Sequence, residues 1–197
     1  DGQTLRGANR RDPGEPNCRT AGGRLLHVGA NPTVFNCTFV ANSAVGAGGA
    51  VLIGSGDPTF LGCTFSGNRA GTGGAAECRD GATAIFDDCQ FSGNAATDGG
   101  AMRLVGAGSA VLDRCKFNAN VATGFGGGIY VRNGGSPLVS WCTFRGNTAT
   151  SGGALAIRNA SALATGCEFS DNIAVRSGGA VITAQHASAG LTACSFV

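Results

Sequence analysis

The stretch Cys63-Thr64-Phe65-Ser66-Gly67-Asn68-Arg69-Ala70-Gly71-Thr72-Gly73-Gly74-Ala75-Ala76 states a grammar that the chain repeats from end to end. Its Cys-x-Phe triplet recurs at Cys37, Cys63, Cys89, Cys115, Cys142, Cys167 and Cys194, with Phe39, Phe65, Phe91, Phe117, Phe144, Phe169 and Phe196 two positions on. The spacings are 26, 26, 26, 27, 25 and 27 residues. Three residues after each Phe but the last stands an asparagine: Asn42, Asn68, Asn94, Asn120, Asn147 and Asn172. Ala44, Ala70, Ala96, Ala122, Ala149 and Ala174 follow two further on, and then Gly-Gly pairs beginning at Gly48, Gly73, Gly99, Gly126, Gly152 and Gly178. Asn17 with Gly22-Gly23 marks an incomplete earlier copy. Internal repeats with a period of 20 to 50 residues are the signature of solenoids.

The local pattern says which solenoid. After each Gly-Gly comes a short alternation, as in Ala50-Val51-Leu52-Ile53 and Ala154-Leu155-Ala156-Ile157. Alternation over four or five residues reads as a strand with one buried face. Val51 and Ile53, Ala76 and Cys78, Met102 and Leu104, Ile129 and Val131, and Leu155 and Ile157 are expected to point inward. Leu52, Glu77, Arg103, Tyr130, Ala156 and Ile182 between them are expected to point outward. A second strand ends near Val34, Phe60, Phe86, Leu112, Val139 and Leu191, and the Cys-x-Phe triplet is a third. Three short strands per coil of about 26 residues, over about seven coils, predict an all-β parallel β-helix, right-handed as expected for three-strand coils of this length. Stacked coils lie about 4.8 Å apart, so each side chain sits on its counterpart in a rod roughly 34 Å long.

Composition agrees. Glycine supplies 35 of 197 residues, far above ordinary usage and costly in helix interiors. The absence of a G-X-Y period excludes collagen. A hydrophobic share of 43 % with a net charge of +2 excludes a disordered chain. That small charge, with 13 arginines and Lys116 spread along the chain, also argues against a nucleic-acid partner. No apolar run approaches a helical membrane span. Residues 1–16 read as an irregular cap and 17–197 as the repeat domain. A start without signal-peptide features and an end in mid-coil suggest a segment of a longer chain.

The motif C-x-F-x-x-N-x-A-x(2,3)-G-G-[AG], running from about Asn17 to Val197, resembles the repeat of the chlamydial polymorphic outer-membrane proteins, which carry FxxN and GGA-type motifs. The resemblance implies an extracellular or cell-surface module for adhesion, spacing or assembly. Its partners would be other protein chains or segments at the coil ends and lateral faces, and glycans. An autotransporter barrel is missing from this segment.

Nine cysteines raise the question of a disulfide scaffold. Seven belong to one column, where buried thiols behave as small hydrophobes. Cys18 and Cys78 break the column and are the expected members of any bridge. Zinc is not expected, since there is no CxxC pair and His27 and His186 lie far apart in sequence. Nor is any cofactor.

Because some β-helices act on polysaccharides, the outward stripe after Gly-Gly is the place to seek a site. Glu77, Arg79, Arg103, Tyr130, Arg132 and Arg158 form an arginine-rich stripe with one aromatic, a candidate glycan-contact surface against the plainer reading of a solvated face. With one carboxylate in the stripe, no acid–base pair is expected there. Asp87, Asp88 and Asp113 read as a solvated turn. The outward column Thr38, Thr64, Gln90, Lys116, Thr143, Glu168 and Ser195 is too interrupted for a flat ice-binding hydroxyl array. The Gly-Gly segments open strands rather than helices and are not phosphate loops. Two sequons, Asn36-Cys37-Thr38 and Asn159-Ala160-Ser161, fall at expected turns and are candidate glycosylation acceptors. The reading is a non-catalytic structural, adhesive or assembly module. A polysaccharide-binding or polysaccharide-degrading domain is the alternative.

Overall fold

A computed structural model describes residues 18–21, 25–27, 31–106 and 110–197, with side chains from residue 31 onward. The expected cap at residues 1–16, and Asn17 with Gly22-Gly23, lie outside the described residues.

Every described element is a β-strand, and all strand pairings are parallel between successive coils. Six turns separate Cys37 from Cys194, and the strand Cys18–Ala21 stacks before them with Cys18 in register with Cys37. Each coil has four faces, one more than the sequence predicts. Face one holds the triplets, for example Cys37–Val40, Thr64–Ser66 and Gln90–Ser92, in an eight-stranded sheet. Face two is the unforeseen one, with six strands including Ser43–Ala47, Arg69–Thr72, Ala95–Ala96 and Val121–Ala122. Two of its strands span only two residues, and its inward residue is alanine, too small to leave an apolar alternation. Face three follows Gly-Gly (Val51–Ile53, Ala76–Cys78, Met102–Val105, Ile129–Arg132, Leu155–Arg158), and face four precedes each Cys (Thr59–Leu61, Ile85–Asp87, Val111–Asp113, Leu138–Ser140).

The core consists of vertical columns. The seven phenylalanines of face one stack in one pile, with successive centroids 4.7 to 4.9 Å apart and rings within 7° of parallel. Parallel rings at this separation lie within the range that aromatic pairs adopt, and the strand spacing sets the repeat. Phe60 and Phe86 of face four meet the pile edge-on, as in Phe60–Phe65 at 6.0 Å and 66°. The asparagine column lies at the corner between faces one and two. Asn42, Asn68, Asn94, Asn120 and Asn147 are fully buried, and each donates from Nδ2 to Oδ1 of the next asparagine at 2.9 Å.

Cysteine forms a third column. Cys63, Cys89, Cys115, Cys142 and Cys167 are buried free thiols, and each Sγ donates to a face-four carbonyl of the preceding coil at 3.3 to 3.5 Å. Cys194 is half-buried and free, whereas Cys37 is disulfide-bonded. Cys78, named with Cys18 as an expected member of any bridge, forms none. It is a buried free thiol at an inward position of face three, with no column partner above or below it. The side chain of Cys18 lies outside the described set.

The Gly-Gly corner is a steric requirement. The first glycine is left-handed, as at Gly73 with φ 59°. A Cβ on the second, Gly74, would lie 2.8 Å from the backbone N and O of Ala95 in the next coil. Only glycine lets the corner close this tightly.

Candidate functional site

Tight closure at Gly-Gly folds the last residue of face two over the outer side of face three. The backbone register aligns Ala47, Thr72, Asp98, Phe125, Ser151 and Ser177 as one column. Five residues later in each coil come Leu52, Glu77, Arg103, Tyr130, Ala156 and Ile182, a second column in register. The two columns line the inside of a corner. Positions expected to face solvent are therefore roofed: Glu77 and Tyr130 are each 1 % exposed, and Leu52 and Ala156 are buried. The candidate contact residues separate accordingly. Glu77 and Tyr130 are out of a ligand's reach, while Arg79, Arg103, Arg132 and Arg158 keep some surface.

Two clusters occupy the corner. In the first, Thr72 Oγ1 donates to Glu77 Oε2 at 2.5 Å and Arg79 Nη2 to Oε1 at 2.7 Å. Arg103 Nη1, from the next coil, reaches both carboxylate oxygens and Thr72 Oγ1 at 3.3 Å. The Arg103 side chain is 16 % exposed and that of Arg79 37 %. A buried carboxylate survives only when paired and hydrogen-bonded, and Glu77 has both. Glu77 remains the one carboxylate of the outward stripe, and a second carboxylate, Asp98, stands outside that stripe at an isolated bridge to Thr72. Asp98 Oδ1 accepts the Phe125 N–H at 3.0 Å. Beside this cluster an open depression of about 630 Å³ is lined by Val45, Ala47, Leu52, Thr72, Arg79 and Thr97.

The second cluster is aromatic. Phe125 stacks on Tyr130, with centroids 5.5 Å apart and planes 20° from parallel, and Arg158 Cζ lies 4.5 Å from the Phe125 centroid. Arg132 is the register partner of Arg158. The structure thus gathers Glu77, Arg79 and Arg103 into one group, and Tyr130, Arg132 and Arg158 into another.

Thr72, Asp98 and Phe125 are missing from the sequence reading. Their signal is a constant offset: Thr72 with Glu77, Asp98 with Arg103 and Phe125 with Tyr130 are chemically matched pairs five residues apart.

Cys78 lies on the inner side of the strand that carries Glu77. Burial pushes its thiol up to about 12, and the neighbouring Glu77 carboxylate adds to the shift.

Elsewhere, Asp87 and Asp113 are register neighbours on face four, and both pair with Arg114, with Arg114 Nη2 2.5 Å from Asp87. Asn36 and Asn159 occupy exposed left-handed corners, with φ 49° and 48°. Among the described residues, no three His, Cys, Asp or Glu side chains converge as a metal site.

The architecture defines a parallel β-solenoid with a polar and aromatic corner. The family model for the right handed beta helix region matches residues 25–196, and the chain belongs to that family. No curated protein and no solved structure matches the chain significantly.

Proposed function

We propose that this β-helix is a non-catalytic structural module of a secreted or cell-surface protein, serving as a spacer, adhesive or assembly element. The closer kinship to the polymorphic outer-membrane proteins belongs to the same proposal. One observation carries it: the deepest carboxylate of the corner, Glu77, is roofed and tied to Thr72, Arg79 and Arg103. A general acid or base must reach the proton it transfers, and Glu77 has no approach for a substrate.

The outer side of face four supports lateral contacts with other chains. Ile85, Leu138 and Leu163 are exposed in one column, and Trp141, 63 % exposed, stands at its edge. Aligned exposed apolar side chains mark interaction surfaces. Glycosylation at exposed Asn36 and Asn159 fits a secreted setting.

The alternative, a polysaccharide-degrading domain, rests on Glu77 and Asp98 lying near the corner that holds Arg79, Arg103, Arg132 and Arg158. The test is incubation of the protein with neutral and acidic polysaccharides, scored for new reducing ends and unsaturated products. The proposal expects none. Turnover that Glu77→Gln or Asp98→Asn abolishes, with the fold intact by circular dichroism, would overturn it.

A further inference from the structure

Arg132 and Arg158 stand on adjacent strands of face three, in register, with Cα atoms one strand spacing apart, about 4.8 Å. Both are half-buried. Among the described residues, neither has a carboxylate partner. Like charges opposite one another on neighbouring strands are destabilising. The corner's other two arginines differ, because the Glu77 carboxylate lies between Arg79 and Arg103 and pairs with both.

The Arg158 guanidinium is also held in place. It packs on one face of Phe125, and the Phe125 ring stacks on the buried ring of Tyr130. A cation fixed on an aromatic floor loses little further freedom on binding, which is how preorganisation raises affinity. Asn133 and Asn159 follow the same two strands as exposed residues at left-handed corners.

We propose that Arg132 and Arg158 form an oxyanion-binding site, which takes one carboxylate, sulfate or phosphate group of a ligand between two guanidinium forks. The planar fork of arginine matches such groups in bidentate geometry. The anion removes the repulsion that the register builds in. Phe125 is a positioning residue that acts through Arg158. The proposal is independent of the non-catalytic reading.

The test titrates sodium sulfate and sodium acetate separately into the protein, with sodium chloride holding ionic strength constant. Arginine Nε–H resonances are followed by 1H–15N correlation spectra. Saturable shifts are expected at Arg132 and Arg158 but not at Arg176, an exposed arginine on face two. Arg158→Gln should weaken binding at least tenfold. Phe125→Leu, which removes no charge, should weaken it several-fold, and Arg176→Gln should leave it unchanged. Arg132→Lys, which keeps the charge and loses the fork, guards against misfolding of the other variants and should also weaken binding several-fold. The tighter of the two anions shows whether the site prefers a tetrahedral or a planar group. The proposal fails if neither anion saturates. It fails equally if Phe125→Leu binds like the parent, or if Arg176→Gln weakens binding as much as Arg158→Gln.

Discussion

Replacing Asn94 by alanine tests whether the asparagine column holds the coils together or merely tolerates burial. Asn94 Oδ1 accepts from the backbone N–H of Asn68 at 2.9 Å and from Asn68 Nδ2 at 2.9 Å. Its Nδ2 donates to Phe65 O at 3.0 Å and to Asn120 Oδ1 at 2.9 Å. Alanine removes all four. Asn120 Oδ1 keeps the Asn94 backbone N–H, and Asn68 Nδ2 keeps Phe39 O. The Asn68 backbone N–H loses its ladder acceptor in a site closed to water. At about 1 kcal/mol per buried bond, with more for each donor left unpaired, the loss is about 4 kcal/mol. Asn172 is the comparison. It is half-exposed, and its side chain makes two bonds accepted from Asn147 and one donated to Phe144 O. Water can replace these, so Asn172→Ala should cost about 1 to 2 kcal/mol. Urea unfolding followed by far-ultraviolet circular dichroism measures both. A cost below about 1 kcal/mol for Asn94→Ala, or equal costs at the two sites, refutes the claim that the ladder is a principal clamp between coils.

Two further tests probe backbone and charge. Ala119 is exposed at a left-handed corner, φ 51°, where other coils place Gly67, Gly93 and Gly146. Relief of about 1 kcal/mol of left-handed strain outweighs the entropy that glycine adds to the unfolded chain. Ala119→Gly should therefore raise stability by about 0.5 kcal/mol in the same urea assay, and a loss would contradict the corner geometry. Cys78 supplies a pH dependence. Its folded value near 12 lies above the ordinary thiol value of 9.0, so the unfolded chain binds fewer protons between these limits. Stability is intact below about pH 9 and falls as pH rises toward about 12, by about 4 kcal/mol in all. Cys78→Ala should flatten that part of the stability curve, whereas parallel curves for the two proteins would show that the thiol is not held neutral.

The interior was legible because stacking demands likeness. Phenylalanine over phenylalanine and asparagine over asparagine leave a period that survives drift at every other position. Face two stayed hidden because its inward residue is alanine and its strands Ala95–Ala96 and Val121–Ala122 span two residues. The corner was misjudged for a different reason. Alternation separates inside from outside on one strand, but it cannot tell whether another strand roofs the outside. Glu77 and Tyr130 alternate as outward residues should, and Thr72 and Phe125 cover them.

That contrast locates where this solenoid can carry information. Inside the coil, a residue is constrained by its counterparts one strand spacing above and below, so neighbouring coils must agree. At the Gly-Gly corner two coils each make a side-chain contact between positions five apart, Thr72 with Glu77 and Phe125 with Tyr130, and the chemistry of that pair differs from coil to coil. Threonine with glutamate, aspartate with arginine and phenylalanine with tyrosine follow one another there, while the phenylalanine pile behind them stays the same. Other links run between coils: Arg103 reaching back to Glu77, the Asp98 carboxylate on the Phe125 amide, and Arg158 reaching back to Phe125. They join the pairs into a continuous strip. Changes along that strip should alter what the rod recognises, and changes in the columns should alter whether it stands.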